Sequence, residues 1–194
     1  MRGLHEKRKT VGTARSHTTG FAATLYDYVG AIVAAMVLLV LLFTFVFRAA
    51  GVLGDSMQPT LQDGDRLVLF SHFYTPARGD VVVINRYTEE PLIKRVIGVA
   101  GDRVHIDETT GLVYVNGERL SEPYISGLTP PREMAGEVTV PEGCLFVMGD
   151  NRSISKDSRF REIGMVKVSD VVGQAIFRLW PFKKFGLIDK ERGA

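Results

Sequence analysis

The sequence has few of the residues on which many hydrolases and metalloenzymes rely. Among its 194 residues there are one cysteine and four histidines. A single cysteine cannot form an internal disulfide or a thiolate metal cluster, and the apolar run around Cys144 predicts a buried structural thiol. Two histidines lie in the first twenty residues, which leaves His72 and His105. No two histidines have the spacing of metal ligands, so we expect no metal and no cofactor.

Net charge is also small, and it is unevenly distributed. The formal net charge is +2. Residues 1–28 hold five basic and two acidic side chains, so the remainder has 19 basic and 20 acidic ones. The basic isoelectric point therefore reflects a short tail, and the sequence predicts no nucleic-acid partner.

A long uncharged run is the clearest positive feature. Residues 28–47 contain no charged side chain, and twenty residues in a helix span about 30 Å, the thickness of a hydrocarbon core. Tyr26 and Tyr28 suit the membrane interface, and the excess of Lys and Arg before the run puts the N-terminus in the cytoplasm. We therefore predict a disordered basic cytoplasmic tail (1–27), a transmembrane helix (28–48) and an extracytoplasmic domain (49–194) of a single-pass plasma-membrane protein. A cleaved signal peptide is the alternative, but the apolar run is long for one.

The rest of the sequence predicts a mainly β domain. Short β-branched runs alternate with turn signals, and no further segment has helical periodicity. Asn116-Gly117 is a strong signal for a tight turn. Residues 121–137 contain three prolines with Gly, Ser and Glu, which predicts an exposed loop. The predicted strands lie at 66–70, 81–84, 92–99, 104–106, 112–115, 145–148, 166–168 and 171–177.

A candidate nucleophile follows the apolar run. Ser56 lies two residues after Gly54 and three before Pro59, on a segment that can hold a hydroxyl and a free N–H on an irregular backbone. An ordinary turn has the same pattern. A serine needs a base, and neither His72 nor His105 lies in a glycine-rich or charged cluster.

Lysine is the other candidate base, provided that burial lowers its pKa far below about 10.4. Lys94 lies on a strand with Leu92 and Val96 on its own face, and Lys167 in Met165-Val166-Lys167-Val168 is the rival. Arg95 remains charged in proteins and cannot serve. For both Lys94 and Lys167 the simpler interpretation is a surface lysine, whose aliphatic chain lies along the strand while its amine reaches water.

Four segments in order resemble the conserved boxes of bacterial type I signal peptidases, in their shorter single-span form. The resemblance covers most of residues 30–180, including the apolar run. The family commonly has proline where this sequence has Ala100. The segments are Ser56-Met57-Gln58-Pro59-Thr60-Leu61, Arg78-Gly79-Asp80-Val81-Val82, Lys94 through Asp102, and Gly149-Asp150-Asn151-Arg152 with Ser155, Asp157, Ser158 and Arg159.

The resemblance implies a signal-peptidase-like β fold and a Ser–Lys dyad, with Ser56 as nucleophile and Lys94 as general base. It implies that the Ser56 N–H forms the oxyanion hole. In some members a hydroxyl two residues upstream assists, but Gly54 stands there, so that donor is absent or comes from the backbone. Supporting roles are implied for Ser155, which orients the lysine, for the structural pair Asp157 and Arg159, and for Asp150 and Arg152.

The resemblance also implies the substrates, which are secretory preproteins cut after small residues at positions −1 and −3, as in Ala-X-Ala. The partners are then these preproteins and the lipid bilayer. We expect Val52, Leu53, Val83 and Ile93 to line the substrate pocket. Residues 178–185 combine aromatic and basic side chains, which suits either a membrane-surface patch or C-terminal packing.

Three alternatives remain open at this point. A self-cleaving regulator of the Ser–Lys class would share the chemistry, but such proteins carry a DNA-binding segment where this chain has its apolar run. A non-catalytic, membrane-tethered β module would need no activated serine. A degenerate paralogue would keep the fold without the activity.

Overall fold

The computed structural model describes residues 18–71, 74–85 and 90–188. The chain forms two compact units, divided between Leu42 and Phe43. Residues 1–17 of the predicted disordered tail lie outside the described residues, and so does His72.

One long helix, α1, runs from Thr18 to Val46, and its residues 18–42 are the described part of the first unit. Within it, Ala23–Leu41 has a mean hydropathy of 2.0 and is the one segment of the described chain long and apolar enough to cross a membrane. The helix begins ten residues before the predicted span, because the helix-forming run Ala-Ala-Thr-Leu at 22–25 continues it outward. It ends at Val46, and the residues that follow start a strand.

The second unit is a mainly β domain, as predicted. Its larger, antiparallel sheet has the order β1-β2-β11-β3-β4-β9-β10, and β12 pairs with β11. A smaller sheet has the order β7-β6-β5-β8. The strands in the described residues are β1 Phe47–Gly51, β2 Arg66–Phe70, β3 Val81–Ile84, β4 Leu92–Val99, β5 Arg103–Ile106, β6 Val113–Val115, β7 Glu118–Arg119, β8 Val138–Thr139, β9 Cys144–Met148, β10 Val166–Lys167, β11 Val171–Trp180 and β12 Gly186–Leu187.

The position of β4 in the larger sheet matters most for the site. It pairs with β3 on one side and β9 on the other, and residues 93–98 are all buried. Strand β3 is buried along its whole length, as its uninterrupted run of Val and Ile predicts. Side chains alternate between faces along a strand, so consecutive residues of β4 point into different parts of the interior.

Each predicted strand has a counterpart, and the predicted tight turn is present. Asn116 and Gly117 have φ angles of 56° and 85° and connect β6 to β7. Four strands were not predicted: β1, β7, β8 and β12. Three of these have only two residues, which is too short for an alternating pattern to be recognised.

Two further expectations need correction. Cys144 is half-buried at the start of β9 and not fully buried, because it packs at the margin of a hydrophobic cluster. The segment 121–137 lacks long secondary structure but is not simply an exposed loop. Tyr124 is 8% exposed and Thr129 is 0% exposed, since both pack against buried arginines.

Candidate active site

Ser56 lies in the turn-rich connection between β1 and β2. Gly54 has a φ of 75°, a conformation that favours glycine, and its N–H donates to Asp63 Oδ1 at 2.8 Å. Met57 and Leu61 are buried in the core, and the Leu61 N–H donates to Met57 O at 2.9 Å. These two apolar anchors fix the segment while Ser56 itself stays half-buried at the surface of the domain.

Lys94 reaches Ser56 from the middle of β4. Its Nζ donates a hydrogen bond to Ser56 Oγ at 2.8 Å and another to the carbonyl of Ile93 at 3.0 Å. The residue is 2% exposed and lies opposite Val82 of β3. The sequence-predicted nucleophile and base are thus in direct contact.

Burial lowers the pKa of Lys94 from its ordinary 10.5 to about 8, because the charged amine is removed from water. The carboxylates of Asp157 and Asp150 oppose this change, and the Arg159 cation reinforces it. Lys94 forms no ion pair with any residue that the structure describes. A lysine in this state can be neutral near physiological pH, which is the first requirement of a general base.

The rival bases lie elsewhere. Lys167 is exposed on β10, at the edge of the larger sheet. His105 is half-buried on β5 in the smaller sheet, with its ring 6.2 Å from that of Tyr114. Among the described residues, no group of His, Cys, Asp and Glu side chains could hold a metal ion.

The loop 149–159 packs directly against Ser56, the candidate nucleophile. The Asn151 N–H donates to the Ser56 carbonyl at 3.0 Å, and its side-chain amide donates to the Asp55 carbonyl at 3.2 Å. A Cβ on Gly149 would lie 2.4 Å from the Ser56 carbonyl oxygen and 2.3 Å from Ser155 Oγ. Only glycine therefore fits at position 149 while Ser56 and Ser155 keep these places.

Ser155 lies beside the dyad but does not bond to it in this structure. It is 1% exposed, and its hydroxyl has no hydrogen-bond partner among the described residues. The expected hydrogen bond from Ser155 to the Lys94 amine is thus not formed. The Ser155 hydroxyl and the Ser56 carbonyl nevertheless both lie close to the α-carbon of Gly149.

The Asp157 and Arg159 side chains form a fully buried, bidentate ion pair with two bonds of 2.8 Å. Asp157 also accepts the Gly149 N–H at 3.0 Å, and Arg159 donates to the carbonyl of Pro130 at 2.9 Å. The pair therefore holds the backbone of the loop near Ser56.

Asp150 and Arg152 take part in two further buried contacts. Asp150 forms a bidentate pair with Arg95 at 2.9 and 2.7 Å, and neither side chain is exposed. Arg152 donates to the Gly149 carbonyl at 2.9 Å, and its other nitrogens bond to Glu122 and Thr129. The sequence predicted none of these partners: Arg95 lies on β4, and Glu122 and Thr129 come from the segment 121–137.

The two backbone N–H groups expected near the oxyanion, those of Ser56 and Gly54, differ in whether another group of the protein already accepts them. Among the described residues, no acceptor receives the Ser56 N–H, so this donor is available to a substrate carbonyl. The Gly54 N–H is already bonded to Asp63, so Gly54 supplies no second donor in this arrangement.

A cleft of about 440 Å³ lies beside the dyad strand and is bordered by β1, β3 and the start of β4. Three of the four residues expected in the pocket line it: Leu53, Val83 and Ile93. Val52 does not, because its side chain is 3% exposed and packs in the hydrophobic core behind the cleft.

Comparison with known proteins matches this chain to one family. The family described as "Signal peptidase, peptidase S26" matches residues 25–180. The signal peptidase I of Bacillus caldolyticus is 40% identical over 156 residues, which are 73% of this chain and 84% of that protein. The signal peptidase I of Bacillus licheniformis is 38% identical over 178 residues, 86% of this chain and 94% of that protein.

Among solved structures, a signal peptidase I from Enterococcus faecalis is 31% identical to this chain, with a TM-score of 0.43. The matched region covers 52% of this chain and 97% of the Enterococcus chain. The family match over most of the sequence and the two Bacillus relatives decide the assignment: the chain belongs to the signal peptidase I family and is a peptidase.

Proposed function

We propose that this chain is a membrane-anchored serine endopeptidase that removes signal peptides from exported preproteins with a Ser–Lys dyad. Family membership supplies the coarser statement, a peptidase that cleaves signal peptides. The observation that carries the finer one is the 2.8 Å contact between the buried Lys94 amine and Ser56 Oγ.

The low pKa of Lys94 gives this contact its chemical meaning. At pH 7 a pKa of about 8 leaves roughly one lysine in ten neutral, compared with roughly one in three thousand at the ordinary 10.5. A neutral amine accepts the Ser56 proton through the same hydrogen bond, with the hydroxyl now as the donor. Burial therefore raises the fraction of competent base several-hundredfold, by this arithmetic.

In the proposed reaction, Ser56 Oγ attacks the scissile carbonyl carbon as its proton moves to Lys94 Nζ. The Ser56 N–H stabilises the oxyanion. The C–N bond then breaks, and the lysine ammonium gives its proton to the leaving amine of the mature protein. Lys94 next takes a proton from a water molecule as the water oxygen attacks the acyl carbon. The bond from that carbon to Ser56 Oγ then breaks, Lys94 returns the proton to Oγ, and the signal peptide leaves with a free carboxyl group.

The cleft supports the proposed preference for small side chains at −1 and −3. Its apolar wall includes Val83 and Ile93, and Leu53 is 65% exposed at its edge. An extended peptide lying along such a wall would present alternate side chains to it, so residues −1 and −3 would face the same way. We propose that the branched side chains of this wall limit the size of the substrate residues at −1 and −3.

The helix α1 supports the membrane anchor. Its apolar segment Ala23–Leu41 matches the thickness of a bilayer core. Because five Lys and Arg residues precede it and only Arg48 follows it closely, we propose that the N-terminus is cytoplasmic and the β domain extracytoplasmic in the plasma membrane. The proposed partners are the bilayer and the secretory preproteins.

The test is cleavage of a preprotein with an Ala-X-Ala site, in detergent micelles, by the wild-type full chain and three variants. We expect Ser56→Ala and Lys94→Met to be inactive while circular dichroism shows them folded. Lys167→Met is the matched control, since it removes an exposed lysine from a β-strand, and it should retain activity. Substantial activity of Lys94→Met would show that the base is elsewhere, and an inactive wild type would favour a binding module or a degenerate paralogue.

The pH dependence gives a second test of the base. Because only neutral Lys94 accepts the proton, kcat should rise about tenfold per pH unit below its pKa and level off near pH 8. Single-turnover cleavage between pH 6 and 9 measures this when chemistry is rate-limiting. A flat profile over that range would contradict the assignment of Lys94.

A further inference from the structure

The segment 121–137, which we call the strap, contacts the loop 149–159 at several points. In addition to the strap's contacts with the Arg152 and Arg159 side chains, Arg132 donates to the carbonyl of Ser153, and the Glu133 N–H donates to the carbonyl of Arg159 at 3.2 Å. The strap therefore covers the loop that packs against the nucleophile.

Arg152 is the central contact between strap and loop. It is fully buried, and one edge of its guanidinium donates to the strap, to Thr129 Oγ1 at 2.6 Å and to the Glu122 carboxylate. Its Nε donates to the carbonyl of Gly149 at 2.9 Å. Because a guanidinium is planar and rigid, fixing one edge fixes the direction of the other.

Arg159 provides a parallel connection. Its Nη1 donates to the strap carbonyl of Pro130, while the rest of the guanidinium holds Asp157. Asp157 in turn accepts the Gly149 N–H. Both polar groups of the Gly149 backbone are thus held through arginines that the strap anchors.

Gly149 is where this support reaches the catalytic residue. Its α-carbon lies so close to the Ser56 carbonyl that a Cβ would approach the oxygen to 2.4 Å. Any shift of Gly149 is therefore transmitted to the backbone whose N–H is the proposed oxyanion donor. A nucleophile needs its geometry held within a fraction of an ångström, and here the holding groups lie outside the dyad.

We propose that the strap is a positioning element for catalysis, in which Thr129 and Glu122 orient Arg152 so that Gly149 holds Ser56 in its reactive place. This rests on the proposed Ser–Lys mechanism. Thr129 is a positioning residue, since it contacts neither the dyad nor the cleft in the structure.

A further contact involves the residue beside the base. The ring of Tyr124 lies 3.9 Å from the guanidinium carbon of Arg95, which holds Asp150 next to Gly149. The strap thus supports the loop from Arg95 as well as from Arg152 and Arg159. Tyr124 provides a second place to test the proposal, and its hydroxyl also donates to Glu122 Oε1 at 3.3 Å.

The test compares Thr129→Val with Thr129→Ser in the preprotein assay, with wild type and Lys94→Met alongside. Valine keeps the shape and removes the acceptor of Arg152, whereas serine keeps the acceptor and removes a methyl group. We expect valine to lower kcat by about tenfold with KM unchanged, within the roughly hundredfold that a 1 Å misplacement can cost. Serine should stay near wild type, and Thr139→Val, at an exposed threonine of β8, should have no effect.

Three results would overturn the proposal. They are a wild-type kcat for Thr129→Val, a change in KM alone, and a larger loss of kcat for Thr129→Ser than for Thr129→Val, which would indicate a packing effect.

Should Thr129→Val fail to fold, Tyr124→Leu and Tyr124→Phe repeat the comparison. Phenylalanine keeps the ring over Arg95 and should retain kcat, while leucine should lose it. If wild type cleaves and Lys94→Met does not, the dyad stands whatever the strap variants show.

Discussion

Lys94 and Arg95 are adjacent cations that the same strand buries to the same degree, at 2% and 0% exposure. They point in opposite directions from β4 and meet different surroundings. Arg95 meets a carboxylate, Asp150, with which it forms two hydrogen bonds. Lys94 meets a hydroxyl and a carbonyl. Lys94 and Arg95 are therefore equally buried, and they differ in whether a carboxylate accepts their hydrogen bonds.

The consequence follows from the free energy of a buried charge. A buried cation with a bidentate carboxylate keeps its charge and ties together the strands that carry the pair. A buried lysine without such a partner lowers its free energy by losing the proton, and burial takes the pKa of Lys94 to about 8. One strand therefore carries a structural cation and a candidate base side by side.

Replacing Lys94 by a side chain that cannot lose its proton should have the largest effect on activity. Lys94→Arg keeps a long cationic side chain, but arginine does not deprotonate in proteins, so general-base catalysis is lost. We expect kcat/KM for preprotein cleavage to fall by about 10³–10⁴-fold, the upper range for general acid–base catalysis. Circular dichroism controls for folding, and more than about a tenth of wild-type activity would contradict this role of Lys94.

Removing the partner of the structural cation should cost stability. Asp150→Asn breaks the bidentate pair between Asp150 and the fully buried Arg95, and breaking a buried pair from one side costs about 3–5 kcal/mol. Urea unfolding of the full chain in micelles measures the change. Glu137→Gln is the control, since its pair with Arg103 is exposed and 3.5 Å long. Equal losses in the two variants would mean that burial does not distinguish these pairs.

Neutralising the candidate base should stabilise the protein, the opposite of the effect at Asp150. The pKa of Lys94 is about 8 in the folded chain and 10.5 ordinarily, so the unfolded chain binds the proton more tightly. Wild-type stability then rises with pH between about 8 and 10.5, and burial of the charged Lys94 costs about 3–4 kcal/mol below pH 8. Lys94→Met removes this cost, so its gain in unfolding free energy should be full at pH 7 and absent above pH 10.5.

A gain that does not depend on pH would show that methionine simply packs better. A loss of stability at pH 7 would contradict the unfavourable burial of the Lys94 charge. Unfolding of wild type and Lys94→Met at pH 7 and pH 10.5 distinguishes these outcomes.

The sequence singled out the two residues that meet at the candidate site, but it did not predict the contacts that hold them. An uninterrupted β-branched run fixed β3 as a buried strand, and four ordered motifs brought Ser56 and Lys94 to attention. Yet Lys94 and Lys167 both lie among apolar residues, and only the sheet order puts β4 in the interior and β10 at an edge. Local pattern does not encode which strands are central, because that depends on pairing between distant segments.

The strap shows the same limit more clearly. Its prolines and glycines predict a loop correctly. Thr129 and Tyr124 are nevertheless buried, because Thr129 accepts a hydrogen bond from Arg152 and the Tyr124 ring packs on Arg95. In the sequence Arg152 lies in a charged loop and Arg95 on a predicted strand, and neither position indicates its partner in the segment 121–137. Similarly, β1 followed directly on an apolar helix and had no boundary signal of its own.

The smallest effect should come from a cation that is paired like Arg95 but exposed like a surface residue. Arg78 bonds to Asp102 in a bidentate pair at 2.7 and 2.6 Å, but its side chain is 40% exposed. Asp102 also accepts the N–H of Val99 and the amide of Asn116, so it keeps partners when Arg78 is removed. We expect Arg78→Gln to lower the unfolding free energy by about 1 kcal/mol or less and to leave cleavage unchanged, because water screens the exposed cation. A loss as large as that of Asp150→Asn would mean that bidentate geometry, and not burial, sets the strength of these pairs.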